Sequence, residues 1–149
     1  MILKYFASNM VLQALGQAAS PADMDIYIAL LSAAPTLNSA GEVTALNELT
    51  SAGGYARKHI DKNTNGLEAY FGNVTYEDGV TSITNTKEIH FDISTGAYSA
   101  AATHFALING ATGNNVLFYG ALSSSVTVSA ANKVPVIQKN SLTITVQSA

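Results

Sequence analysis

Turn-forming clusters cut this chain into short apolar runs, and that spacing restricts its fold more than any other feature. Glu77-Asp78-Gly79, Thr95-Gly96, Asn109-Gly110, Gly113-Asn114-Asn115 and Ala130-Ala131-Asn132 all combine residues that supply positive φ or side-chain-to-backbone hydrogen bonds. Between them lie segments rich in β-branched and aromatic residues: Asp25–Leu31, Tyr55–Ile60, Leu67–Tyr76, Ser82–Thr84, Glu88–Ile93, Thr103–Ile108, Val116–Leu122, Ser125–Val128 and Leu142–Val146. Roughly eight or nine short strands with turns about every 8–12 residues describe an antiparallel β-sandwich or jelly-roll-like fold. Helical signals do not alternate with these strands, so a parallel βαβ sheet is excluded.

One helix is expected, ahead of all the strands. Leu3, Phe6, Met10, Val11 and Ala14 recur at helical spacing, with Lys4, Ser8, Asn9 and Gln13 between them. Gly16 and then Ser20-Pro21 end the pattern, which places a short amphipathic helix at residues 2–16. Its apolar stripe, with Leu3, Phe6 and Met10, either packs on the core or anchors into a neighbouring subunit. The remainder, 24–149, forms the β part of a single domain spanning 1–149. No repeat, linker or low-complexity tract divides it.

Within the β part, Thr36–Gly54 carries Asn38, Gly41, Asn47 and Gly53-Gly54 and reads as a long surface loop. Asp61–Gly66 reads as a turn built on Asn-Gly, and Ser123-Ser124-Ser125 as a hairpin turn. Tyr70-Phe71 and Phe118-Tyr119 place neighbouring rings on opposite faces of their strands. The tail from Ser141 to Val146 alternates polar and apolar, as a half-buried strand closing a sheet does.

Composition then narrows what such a fold can do. Only 11% of the 149 residues are charged, against about 25% in an ordinary domain, while 48% are hydrophobic. A surface left to Ser, Thr, Asn, Ala and Gly can be laid against another subunit without desolvating many ions. The net charge of −3 and the lack of a basic patch beyond Arg57-Lys58 argue against nucleic acid. The apolar run near the start is broken by Ser8-Asn9 and Gln13, short of the ~7–15 residues of a signal peptide or ~20 of a membrane span. A soluble, intracellularly made protein is therefore expected.

Chemistry is hard to place. With no cysteine, thiolate metal sites and thiol nucleophiles are excluded. His59, His90 and His104 fall on three different expected strands without metal-ligand spacing, and hydrogen-bonded packing suits the last two. The acids, which include Asp23, Asp25, Glu42, Glu48, Glu77, Asp78, Glu88 and Asp92, sit mostly in loops and turns where solvated carboxylates are ordinary. No Gly-x-Ser-x-Gly elbow occurs, and Gly53-Gly54 lacks the lysine of a phosphate loop. The expectation is a non-enzyme with no cofactor and no metal.

Several strings, taken in order, resemble a family of small tailed-bacteriophage virion structural proteins, often labelled tail-fibre or minor structural proteins. They are Leu3–Asn9, Leu12–Gly16, Ile26–Thr36, Glu42-Val43, Gly53-Gly54-Tyr55-Ala56-Arg57, Thr103–Leu107 and Asn115–Leu122. Gly-Gly-Tyr-Ala-Arg is the most specific. Ala45–Ala52 lengthens the loop before it, and Lys58-His59 replaces the usual uncharged continuation.

The resemblance implies a non-enzymatic virion component present in many copies, as capsid decoration or as a head, neck or tail fibre, assembled in the host cytoplasm. Its partners would be other virion proteins and itself as a homo-oligomer, with no nucleic acid and no membrane. The alternative is a receptor- or glycan-binding tail tip contacting a host-surface glycan. Candidate interface residues are Leu3, Phe6 and Met10 of the helix and Gly53, Gly54, Tyr55 and Arg57 of the motif. For the motif a simple loop-to-strand transition competes, in which Tyr55 packs and Arg57 reaches a carboxylate or carbonyl.

Overall fold

The computed structural model describes residues 25–60, 70–113 and 115–147. The helix expected at 2–16, with Leu3, Phe6 and Met10, lies outside the described residues, as does the Asp61–Gly66 turn. The described chain is mainly β. Its strands are β1 (Ile26–Leu31), β2 (Thr36–Leu37), β3 (Val43–Ala45), β4 (Lys58–Ile60), β5 (Thr75–Glu77), β6 (Val80–Thr84), β7 (Ile89–His90), β8 (Ala102–Asn109), β9 (Val116–Val126), β10 (Val136–Ile137) and β11 (Thr143–Gln147). They pair antiparallel throughout, in sheets of order β4-β1-β8-β9, β11-β6-β5, β10-β7 and β2-β3.

The four-stranded sheet is covered on both faces, because β1 is apolar at every position. Ile28 and Leu30 point one way, into a core with Phe105, Leu107 and Leu117. Ala29 and Leu31 point the other way, against Leu46, Ala106, Ile108 and Val116. All four β1 residues are fully buried, each large side chain contributing about 1.5–3 kcal/mol by leaving water. The larger core also takes Ile89, Phe91, Tyr98, Val128, Ile137 and Leu142, with Ile144 of β11 packed against it.

The smaller cluster explains Thr36–Gly54. Expected as a long loop, this stretch holds the β2–β3 hairpin, and Leu37, Val43 and Leu46 lay it over the second face of the sheet. Leu49 enters the larger core, its N–H donating to the Leu30 carbonyl at 3.0 Å.

Two irregularities shape β9. Its register moves from Leu107↔Phe118 to Ile108↔Val116, leaving Leu117 as an extra residue, so Leu117 and Phe118 both face the larger core. At the other end Ala121 faces His104 while Val126 faces Ala102. The serine run is therefore not the hairpin turn expected from composition. It bulges outward within β9, and pairing with β8 resumes at Val126, because Val126 and Val128 still pack on the core.

The β5–β6 hairpin follows its sequence signal. Asp78 and Gly79 both have positive φ, 49° and 80°, as a two-residue type I′ turn requires. Just before it, Tyr70 and Phe71 both pack on the larger core. They do not split between faces as expected, since only Phe71 forms a bridge, to Asn85, and regular alternation has not begun there. Phe118 and Tyr119 do divide, one on each cluster.

Two buried polar residues fix the connections. Asn85 is fully buried; its Nδ2 donates to the carbonyls of Lys87 and Gln138, and its Oδ1 accepts from the Leu142 N–H. Ser94 donates through Oγ to the Ala130 carbonyl and accepts from the Lys133 N–H.

Candidate functional site

The Gly-Gly-Tyr-Ala-Arg string turns the chain from a short 3-10 turn (Ala52–Gly54) into β4. Gly53 and Gly54 have φ of 66° and 78°. A Cβ at Gly53 would lie 2.4 Å from the Ala97 carbonyl oxygen and 2.6 Å from that of Gly96. Only glycine permits that approach, and it lets the Gly53 carbonyl accept from the Thr95 N–H at 2.8 Å. The 95–97 segment and the motif are thus held backbone to backbone.

Tyr55, delivered by this turn, is 6% exposed. Its ring meets Tyr98 edge-on at 5.5 Å and Phe91 at 6.5 Å. The phenol fills a gap in the sheet. β4 pairs with β1 only over Ile26–Ile28, so the N–H of Leu30 faces no strand on that side. It donates instead to the Tyr55 hydroxyl at 2.9 Å, and that hydroxyl donates to Glu48 Oε1 at 3.0 Å. Burial pushes the Tyr55 phenol far above its ordinary range, and the Glu48 charge adds to the shift.

Arg57 closes the cluster. Its Nε and Nη2 form a fork on Glu48, at 2.9 Å and 2.6 Å, while Nη1 and Nη2 donate to the carbonyls of Gly110 and Gly113 at 3.3 Å and 2.9 Å. The two side chains are 9% and 19% exposed. The hydrogen bond to Glu48 raises the Arg57 guanidinium above its already high value. One guanidinium therefore ties together the loop before the motif, the start of β4 and the turn between β8 and β9.

Of the candidate interface residues, the structure brings Gly53, Gly54, Tyr55 and Arg57 into one corner, where their contacts are within the chain. Glu48 is the member that sequence reasoning missed, because an acid in a loop reads as solvated. Its position between Leu46 and Leu49, both buried, is the signal that could have found it.

The histidines sit on three different strands, β4, β7 and β8. His59 stacks on Tyr27 at 4.7 Å and lies 3.5 Å from Asp25. His90 contacts Glu88 at 3.0 Å, and His104 the hydroxyl of Thr103 at 2.9 Å. Among the described residues no three His, Cys, Asp or Glu side chains are grouped to hold a metal, and no helix is long and apolar enough to cross a membrane.

The corner lies inside a longer match. The family described as Podophage GP4 fiber I protein gp80 matches residues 2–145. The chain belongs to that family. No curated protein matches it. Membership in the gp80 family makes the chain a tailed-phage structural component of the virion, and the match spans both the corner at Gly53–Arg57 and the segment carrying Leu3, Phe6 and Met10.

Proposed function

We propose that the chain is a non-enzymatic fibre subunit of a tailed-phage particle, present in many copies and working through area buried against other virion proteins and itself. The family match over residues 2–145 carries this reading. The architecture supports it: the motif that looks most like a site is consumed in holding β1, β4 and the β8–β9 turn together, so it confers rigidity. Packing of Ile89 and Ile144 onto the same core as Ile28 and Phe105 supports treating the sheets as layers of a sandwich.

A receptor- or glycan-binding tip would gather exposed tyrosines around a groove. Here Tyr55 and Tyr98 are buried, Tyr70 and Tyr119 pack on the cores, and Tyr27 lies on His59, so among the described tyrosines Tyr76 of β5 alone is strongly exposed and no group of them gathers. The fibre reading is therefore preferred. Cryo-electron microscopy of the intact particle tests it. Repeated density for this fold on a head, neck or tail fibre is the expected result, and absence of the chain from purified particles would overturn it.

A further inference from the structure

β9 and β11, each the last strand of its sheet, border one cleft. It has a volume of about 250 Å³, with residues 118–121 along one side and 143–145 along the other. Phe105 lines it beside Gly120, where an added Cβ would come within 3.1 Å of the ring.

The ladders say which main-chain groups reach this cleft. The Leu142 C=O accepts from the Asn85 N–H, and that pair continues the register in which Thr143 faces Thr84. Hydrogen-bonded and open pairs alternate along an antiparallel ladder, so Thr143 and Thr145 direct their N–H and C=O away from β6. On the other side the Asp25 C=O accepts from the Gly110 N–H, in the register of β1 with β8. Phe105 therefore bonds towards β9, its partner Gly120 bonds back, and Ala121 points its main-chain groups outward. The walls thus offer backbone, while Phe105, Phe118 and Ile144 belong to the larger core. An occupant must bring both apolar side chains and hydrogen-bonding groups.

We infer that residues 2–16 of the same chain occupy this cleft. Their sequence carries Leu3, Phe6 and Met10 at helical spacing, with Ser8, Asn9 and Gln13 between them. The stripe suits the aromatic floor, and the amides and hydroxyl suit the walls. The tether selects this copy's segment over another's. Asp25 sits beside Gly110, and Gly120 lies two strands over and five positions along, a span of ~19 Å at ~3.3 Å per residue and ~4.8 Å per strand. The connecting residues 17–24 have a root-mean-square length of ~16 Å as a flexible chain. A linker matched to its span gives an effective concentration of about millimolar, which a second copy equals only at millimolar protein. The inference goes beyond the fibre reading, because it makes the stripe part of the subunit's own core and leaves other surfaces to hold neighbours.

The chain has no cysteine, so reactive pairs can be placed singly. In full-length Met10→Cys with Ala121→Cys, whose site on β9 is exposed, a short bismaleimide should link the two positions within one chain. The yield should exceed that of Met10→Cys with Ile93→Cys at least about tenfold. Ile93 is exposed and follows Asp92, which reaches Lys58 of β4 at the opposite edge of the four-stranded sheet. Adding Leu3→Asp and Phe6→Asp should lower the yield at least about tenfold, with the β signal of the parent retained in circular dichroism.

Equal yields at positions 121 and 93 would overturn the proposal. Efficient linkage between chains in a mixture of the Met10→Cys and Ala121→Cys single variants would overturn it too, since the segment would then anchor in a neighbour. So would linkage undiminished by the two aspartates. These outcomes are separate from the fibre reading, which stands or falls on whether the chain is found in particles.

Discussion

Tyr55 shows how one hydroxyl serves two elements, and its removal has a calculable cost. Tyr55→Phe leaves the buried Leu30 N–H without an acceptor and Glu48 with one donor fewer, so stability should fall by about 1–3 kcal/mol in urea unfolding. The phenol also holds its proton more tightly folded than unfolded, where it ionises near 10.0. Its contribution is complete below that pH and declines as pH rises above it. Urea midpoints should thus drop between about pH 9 and pH 11, and less steeply in Tyr55→Phe; Tyr98, also raised by burial, keeps part of the slope. At Gly53 the constraint is steric. Gly53→Ala combines a positive φ with contact against two carbonyl oxygens and should cost at least about 3 kcal/mol. Gly113→Ala, with positive φ but open space around it, should cost only about 1 kcal/mol. Thermal melts of the two variants check the difference.

Connections between elements depend on buried polar side chains more than on turn chemistry. Asn85 joins the end of β6 to the chain before β11 through two side-chain hydrogen bonds, one donated to the Gln138 carbonyl and one accepted from the Leu142 N–H, and it makes a second donation to the nearby Lys87 carbonyl. Asn85→Asp turns those two donations into a carboxylate facing carbonyl oxygens, and a loss of about 3 kcal/mol or more is expected on denaturant titration. This is also where sequence reading reaches its limit. β1, β4, β8 and the β5–β6 hairpin were legible because apolar runs and Asp-Gly act locally. The serine run was misleading, since a bulge and a turn use the same small polar residues, and only the return of Val126 to the core tells them apart. β10 was missed because two residues carry no period, and its pairing to β7 is set by distant contacts. In the candidate site Gly53 to Arg57 was legible as a motif. Glu48 was not, because its role depends on a guanidinium nine positions away.

At the scale of the whole molecule, the scarcity of charge sets the character of assembly. With 11% charged residues, the multi-copy association proposed above should change less than about threefold between roughly 50 and 500 mM NaCl, since screening acts on ion pairs. Sedimentation equilibrium at the two salt concentrations measures this. The central position of β1 has a consequence in time. Its partner β8 follows it by about eighty residues, and at ~5–20 residues per second a ribosome needs roughly 4–16 seconds to supply them. For that interval Ile-Tyr-Ile-Ala-Leu-Leu, a six-residue apolar strand without charge or proline, emerges with its principal partner not yet made. Such a segment favours intermolecular pairing, so the yield of folded subunits in an infected cell depends on how fast the following codons are read and on which chaperone covers the strand meanwhile.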